Sequence, residues 1–451
     1  MRRPSTAARL AAVAAATALV LAACGGDDDS GGSGESDSGD GGGDSSSTTA
    51  GGSTNKQLYF VDGNTADYSK DFKPGTLTGV RATYPGAELG DEFRKRLLTI
   101  DKSLDSFTYG PESYDATIVP AIAAVAAKSD NSKAIAQEMV AVSGPPGTKC
   151  GSFKECSDLL GNGEEIDYEG VSSPINFGNT GSPTAATIGI YQYKKDNTFE
   201  NKDYITGEIT ENPKPSAGQQ IEKPIGEGDG VLKFGTLLPQ TGDLAFLEPP
   251  ETAGVKLAIQ DINKAGGVLG KDVVMTSADS GDGTPNIAPQ EANKLLGANV
   301  DVIVGAASSD VSLAVLDQIT NAGVLQISPA NTSTAFDTYD DKGLYFRTAP
   351  SDVLQGRVLA DTIAADGYTN VAIMARQEAY GEALAKNVEK YFTQAGGEVV
   401  AKVLYSPESP NFSAEIGEIA AADPDAIVLI AFDETKKIIP GMIEAGIGPN
   451  E

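Results

Sequence analysis

The chain has 451 residues, with 63 Asp and Glu against 34 Lys and Arg, and its formal net charge is −29. This charge argues against nucleic acid as a partner, because phosphate contacts need a concentrated patch of Lys and Arg. The sequence contains no His, which excludes His-based catalytic triads, His metal ligands and imidazole general bases.

The first 24 residues have the pattern of an export signal. Three arginines among the first nine residues precede an apolar run over residues 10–23. That run is too short for a comfortable membrane-spanning helix but suits a secretory signal peptide. It ends in LAAC, which resembles the lipobox of bacterial lipoproteins, so Cys24 is the predicted lipidation residue. A plain signal peptide with an incidental Cys is the alternative.

Residues 25–55 are mostly Gly, Ser, Asp and Thr. Such a segment cannot bury enough apolar surface to offset its ordering entropy, so it is predicted to be a disordered tether. The remaining body, residues 56–451, is long enough for two domains.

Residues 56–209 mix strand and helix patterns. We predict strands in KQLYFVDGN and TLTGVRATY, helices in DEFRKRLLTID, SYDATIVPAIAAVAAKS and IAQEMVAVS, and a hairpin that turns at Asp196-Asn197. Cys150 and Cys156 lie close together in CGSFKEC, where a local disulfide is expected in an exported protein. Two free buried thiols are the alternative. Residues 210–229 are rich in Pro, Gly and charge and are predicted to be a linker.

From residue 230 onward, short apolar strands alternate with helices. Strands are predicted at 231–239, in KDVVMTSAD, at 300–307 and at 324–330, with helices at 251–267, in IAPQEANKLLGAN and in SLAVLDQITNAG. After an extended connection in GLYFRTAPS, helices at 353–366, 381–396, 412–422 and 434–445 alternate with the strands NVAIMA, EVVAKVLY and AIVLIAF. This alternation predicts an α/β fold with parallel sheets covered on both faces. We expect two lobes, with residues 230–350 in the first and 351–451 in the second.

An ordered series of segments points to one family. The segments are TLLPQTGDLAFL, AIQDINKAGGVLGKDV, VIVGAASSDVSLAV, VLQISPANTST, FRTAPSDVLQG, AYGEALA, NFSAEIGEIAAADPDAIVLIAF and MIEAGIGP. Together they make residues 231–451 resemble the N-terminal two-thirds of a type I solute-binding protein of the leucine/isoleucine/valine-binding family. LYFVDGN, PESYDA and VSSPINFGNTGSPTAATIGIYQY make residues 56–205 resemble the last third of that family. The order is therefore that of a circular permutation, and a rearranged sequence of a normally ordered protein is the alternative.

The resemblance implies two Rossmann-like lobes joined by a hinge, with no cofactor and no enzyme activity. It implies a receptor that captures an amino acid, branched-chain or similar, for the permease of an ABC importer. The receptor would be anchored by its lipid on the outer face of the cytoplasmic membrane. No nucleophile motif and no phosphate-binding GxxxxGK[ST] is present, and the serines of GAASSD have no base to activate them.

The family's ligand contacts map onto nine residues. Ser309, Ala330 and Thr332 would bind the ligand carboxylate, and Asp62 its ammonium. The side-chain wall would include Tyr380, Phe432, Tyr109, Phe246 and Leu247. Ser309 and Thr332 as cap or turn residues, and Asp62 as a turn residue, are the structural alternatives.

Three charged residues near these loops leave the ligand class open. Arg376, Asp433 and Glu434 would admit a polar ligand, or they are solvated loop charges. A receptor for amides, urea or short aliphatic acids is one alternative function. A ligand-sensing module without transport is the other, because the fold does not exclude it.

Overall fold

The computed structural model describes residues 56–209, 217–218, 220–221, 225–283 and 286–449. The predicted signal peptide, Cys24, the predicted tether and much of the predicted linker lie outside the described residues.

The strands are numbered in chain order. They are β1 (Gln57–Val61), β2 (Arg81–Pro85), β3 (Thr148–Cys150), β4 (Ile166–Tyr168), β5 (Ala185–Tyr193), β6 (Phe199–Glu208), β7 (Lys233–Leu238), β8 (Val274–Asp279), β9 (Val302–Gly305), β10 (Leu325–Ser328), β11 (Tyr345–Arg347), β12 (Asn370–Arg376), β13 (Glu398–Tyr405) and β14 (Ala426–Ile430).

The helices are numbered in the same way. They are α1 (Asp91–Ile100), α2 (Gly110–Ala127), α3 (Ser132–Val142), α4 (Phe153–Gly161), α5 (Glu248–Lys264), α6 (Ala288–Gly297), α7 (Ser309–Asn321), α8 (Asp352–Ala365), α9 (Ala379–Gln394), α10 (Ser413–Ala421) and α11 (Thr435–Glu444). Short 3₁₀ turns occupy Asp62–Asn64, Ala245–Leu247 and Thr334–Thr338.

Two large sheets organise the described chain. One has five parallel strands in the order β11-β10-β9-β7-β8, and helices α1–α7 cover it to form the first lobe. The other has seven strands in the order β13-β12-β14-β1-β2-β5-β6, and α8–α11 cover it to form the second lobe. Its first five strands are parallel, and the hairpin of β5 and β6 adds two antiparallel strands at the edge. The predicted α/β fold with parallel sheets is confirmed.

The predicted elements recur with small shifts of their bounds. The main addition is β11, which lies inside the segment predicted as an extended connection and pairs with β10 as the edge strand of the first sheet. The sequence also gave no signal for β3, α4 and β4, which are short. Cys150 at the end of β3 and Cys156 in α4 are joined by a disulfide.

The first lobe is built around α2, whose sequence GPESYDATIVPAIAAVAA is largely apolar and largely buried. This helix packs on α5, and the two backbones approach closely at Gly254, where an added Cβ would lie 2.2 Å from the carbonyl oxygen of Gly110. A side chain at position 254 would therefore push the helices apart. Among the described residues, no helix, α2 included, combines the length and apolarity needed to cross a membrane.

The start and the end of the described chain are neighbours. β1 pairs in parallel with β14, and the backbone N–H of Lys56 donates to the carbonyl of Gly448 over 3.2 Å. The Lys56 ammonium also pairs with Asp423 at 2.8 Å. Lys56 thus lies beside Gly448, as a circularly permuted order requires. The permutation itself stays a prediction.

The predicted circular permutation can be tested with a gene that encodes the two segments in the opposite order. We expect a chain that runs from 230 to 449, continues through a two-residue link into 56–209 and omits the original linker to fold into the same two sheets. Because the new order only exchanges one connecting loop for another, the melting temperature of the reordered chain should stay within about 5 °C of the parent's. Circular dichroism during heating measures this. Loss of a cooperative transition would show that the joined ends are not interchangeable with the linker.

Candidate functional site

A cavity lies between the two lobes. Its walls come from segments that follow β7, β9 and β10 in the first lobe and β1, β12 and β14 in the second, together with the start of α2. The lining residues are Asp62, Gly63, Tyr109, Leu244, Leu247, Ala307, Ser308, Ser309, Ala330, Thr332, Tyr380 and Phe432. Open α/β sheets bind ligands at this carboxyl edge of their strands.

Eight of the nine residues predicted to contact ligand line this cavity. The ninth, Phe246, packs half-buried against the apolar cluster that contains Leu247 and Tyr380. The sequence reasoning did not select Gly63, Leu244, Ala307 and Ser308. Each of these four residues lies within three positions of a residue predicted to contact the ligand. This proximity along the chain was the only feature of the sequence that could have indicated them. The ligand-binding roles of all these residues stay predictions.

Two adjacent serines begin α7 and have different tasks. The hydroxyl of Ser308 is the N-cap, since it accepts from the backbone N–H of Val311 at 3.4 Å. Ser309 is the first helical residue, and its Oγ accepts from the N–H of Ser333 at 3.4 Å. The capping role considered for Ser309 therefore belongs to Ser308. The first N–H groups of α7 have no partner within the helix, and the helix dipole gives this end a partial positive charge.

Thr332 lies opposite α7, on the segment that follows β10. Its side chain is buried, and its Oγ1 makes no hydrogen bond of ordinary geometry with the described residues, although it lies near enough to Asp352 to lower the pKa of that carboxyl. A buried hydroxyl without a well-formed hydrogen bond costs free energy, so this oxygen is available to a polar group in the cavity.

Asp62 supplies the cavity's carboxylate. It follows β1 with a left-handed backbone (φ 44°), which an aspartate tolerates better than most residues. The side chain is buried, and its Oδ1 accepts from the Tyr109 hydroxyl at 2.5 Å. Burial raises the pKa of Asp62 to about 7, and the bond from Tyr109 offsets part of that rise. No Lys or Arg among the described residues forms an ion pair with Asp62. A positively charged group of a ligand could therefore pair with the Asp62 carboxylate.

Three further buried acids have raised pKa values. Burial raises the pKa of Glu112 to about 8 and that of Glu378 to about 7, and it raises the pKa of Asp352 well above its ordinary range. The charge of Asp62 contributes to the rise at Glu112 and at Asp352. Burial therefore favours the neutral form of these carboxyl groups, and a positive group beside Asp62 would favour its ionised form.

An apolar and aromatic wall completes the cavity. The rings of Tyr380 and Phe432 stack with centroids 5.6 Å apart and planes 10° from parallel. Leu244, Leu247 and Ala307 belong to the same buried cluster from the side of the first lobe. This part of the cavity suits an apolar group.

Arg376 and Glu434 are not solvated loop charges. Both are buried, and the guanidinium of Arg376 pairs with Glu434 at 2.5 Å while lying over the Phe432 ring at 3.9 Å from its centroid. The Tyr405 hydroxyl donates to the same Glu434 oxygen at 2.7 Å. The ion pair of Arg376 and Glu434 therefore supports the Phe432 ring, and neither of the two charged residues lines the cavity. Asp433 is not among the lining residues and pairs with Lys436 at 2.6 Å.

Comparison with known proteins finds one matching family. Residues 231–451, just under half of the chain, match the family model described as periplasmic binding protein. This segment is similar to that family. It is a family of binding proteins and not of enzymes.

Curated relatives and solved structures overlap this chain in part. Leu/Ile/Val-binding protein homolog 3 of Brucella melitensis is 29% identical over 44% of this chain and 53% of its own length. Leu/Ile/Val-binding protein BraC3 of Rhizobium johnstonii is 31% identical over 45% of this chain and 55% of its own. The isoleucine complex of the substrate-binding protein LivJ from Streptococcus pneumoniae is 26% identical, with a TM-score of 0.43 over 49% of this chain and 62% of its own. The chain spans about half the length of the curated relatives it matches.

The buried acid predicts a pH dependence of stability. Because burial raises the Asp62 pKa from 3.8 to about 7, the folded ligand-free protein holds a proton that the unfolded chain has lost between these values. The contribution of Asp62 to stability therefore falls as the pH rises from about 4 to 7. We expect Asp62→Asn to flatten the pH dependence between pH 5 and 8 and to raise the free energy of unfolding at pH 8 by about 1–3 kcal/mol.

Urea denaturation at pH 5, 6, 7 and 8 measures this effect. Glu92→Gln, an exposed acid on α1, is the matched control and should leave the pH profile unchanged. A profile of Asp62→Asn that parallels the parent's would show that this carboxyl is not the buried acid described above.

Proposed function

We propose that this chain is an extracytoplasmic receptor that captures a small amino acid between its two lobes and delivers it to an ABC importer. The observation that carries the proposal is the composition of the cavity. One buried carboxylate without a basic partner lies in the same enclosed space as a helix N-terminus and an apolar wall.

The ammonium of the amino acid would bind Asp62. Ionisation of a buried carboxyl becomes favourable when a cation takes its place beside it, and charge-assisted hydrogen bonds are the stronger class. The bond from Tyr109 occupies Oδ1 of Asp62, and the second oxygen is left for the ligand.

The ligand carboxylate would bind at the start of α7. The N–H groups there, the Ser309 hydroxyl and the Thr332 hydroxyl form a set of donors suited to an anion. The backbone at Ala330, which also lines the cavity, would contribute from the segment that follows β10.

The ligand side chain would lie against Tyr380, Phe432, Leu244 and Leu247. These surfaces are apolar, so an aliphatic side chain gains from burial there and a charged one would lose its hydration. The names of the curated relatives, Leu/Ile/Val-binding proteins, agree with a branched aliphatic ligand.

The cellular setting is part of the proposal. The N-terminal sequence supports export and lipid attachment at Cys24, which would keep the body on the outer face of the cytoplasmic membrane. The permease of an ABC importer would then accept the ligand from the closed receptor.

A receptor for amides or urea is the second candidate. It is favoured by the raised pKa of Asp62, since a neutral carboxyl both donates to and accepts from an amide. The two candidates differ in whether binding releases a proton, because an ammonium would drive ionisation of Asp62 and an amide would not.

Calorimetric titration of the full chain at pH 6 separates them. We expect Leu, Ile or Val to bind with release of a proton, measured from the heats in two buffers of different ionisation enthalpy, and their affinity to rise with pH up to about 7. Asp62→Asn should weaken amino-acid binding at least tenfold and abolish the proton release, whereas Glu92→Gln should change neither.

The contrary outcomes are distinct. Binding of acetamide or urea without proton release would replace the amino acid by an amide. A cooperatively melting protein that binds none of these compounds would contradict both candidates.

A further inference from the structure

One side chain joins the two lobes beside the cavity without lining it. Ser333 follows Thr332 in the first lobe and is fully buried. Its hydroxyl donates to the carbonyl oxygen of Ala379 at 2.7 Å. Ala379 is the first residue of α9 in the second lobe and immediately precedes Tyr380, whose ring lines the cavity.

Ser333 is also fixed to the first lobe through three further bonds. Its N–H donates to Ser309 Oγ at 3.4 Å, and its carbonyl accepts from Nη1 of Arg347 at 2.8 Å. Its Oγ accepts from the N–H of Ala335 at 3.2 Å, which caps the 3₁₀ turn that follows. The hydroxyl is therefore already oriented when the second lobe meets it.

Another hydrogen bond between the lobes at this cavity has a different character. Tyr109, at the start of α2, donates to Asp62, the acid that would hold the ligand. That bond changes with the protonation of Asp62 and with the ligand. The bond from Ser333 to Ala379 joins a neutral hydroxyl to a backbone carbonyl, so neither event alters it.

We propose that Ser333 is the closure latch of this receptor, a positioning residue whose hydroxyl holds α9 against the first lobe and thereby retains the ligand. The inference rests on the proposed function. Separation of the lobes breaks the bond to Ala379, so it stabilises the closed state alone. A bond of this kind slows release of the ligand, because release requires the lobes to separate.

Stopped-flow binding and release of the amino acid by the full chain test the latch. Ser333→Ala should accelerate dissociation about three- to tenfold, which corresponds to one net hydrogen bond. Ser333→Cys keeps the shape of the side chain but donates a weaker hydrogen bond. Its dissociation rate should fall between those of the parent and of Ser333→Ala. Ser132→Ala is the matched control, because Ser132 also donates from a buried hydroxyl to a carbonyl, that of Asp301 at 2.6 Å, within the first lobe.

Hydrogen–deuterium exchange of the ligand-free chain gives a second readout. Loss of the local cap alone would speed exchange only around Thr334–Thr338. Lobe opening would also speed exchange in the first turn of α9 and at Tyr109, across the cavity, where the backbone N–H donates to the Tyr84 hydroxyl at 2.9 Å. We expect all three regions to exchange faster in Ser333→Ala and none of them in Ser132→Ala.

The outcomes separate this inference from the proposed function. A parent chain that binds no amino acid contradicts the function, and exchange at α9 and Tyr109 then decides the latch alone. A Ser333→Ala variant with the dissociation rate of the parent, or with faster exchange confined to Thr334–Thr338, overturns the latch. Should Ser333→Ala fail to fold, Ser333→Cys decides in the same way.

Discussion

The carboxyl of Asp62 is buried between the lobes with one hydrogen bond from Tyr109 and no basic partner among the described residues, and the rest of the cleft is arranged around that constraint. An isolated buried charge is costly, so the carboxyl holds its proton until a cation replaces it. The neighbouring acids Glu112, Glu378 and Asp352 have raised pKa values for the same reason, burial. A cleft of this kind selects for a ligand that carries its own positive charge, and such a ligand would stabilise the closed protein.

The walls of this cleft are held in place by a second buried group, the guanidinium of Arg347 at the end of β11. It pairs with Asp337 at 2.5 Å and donates to the Ser182 hydroxyl and to the Ser333 carbonyl, each at 2.8 Å. Ser182 lies where the chain passes from the first lobe toward β5, and Ser333 is next to Thr332. Arg347 therefore connects the segment at Ser182, where the chain crosses between the lobes, to the segment that carries Thr332. The donors at α7 and the bond to α9 thus belong to one connected frame.

Much of the fold was predictable because strand and helix periods are strong in residues 230–449, where each apolar run is short and bounded by turn residues. β11 escaped prediction because three residues carry no period, and only pairing with β10 makes them a strand. Eight cavity residues were predictable through family motifs, since the carboxyl edge of a parallel strand fixes where its following loop lies. Phe246 was placed one residue from a true lining position, because the 3₁₀ turn Ala245–Leu247 decides which side chain faces inward. The burial of Arg376 with Glu434 and that of the Thr332 hydroxyl depend on tertiary packing, which spacing along the chain does not encode.

A crystal structure of the full chain grown with L-leucine tests the central claim most directly, because it locates the two charged ends of the ligand. We predict the ligand nitrogen within hydrogen-bonding distance of Asp62 and its carboxylate at the start of α7, beside Ser309 and Thr332. Its side chain should lie against Tyr380 and Phe432. A leucine bound with the opposite polarity, or bound outside the cleft between the two sheets, would contradict the claim.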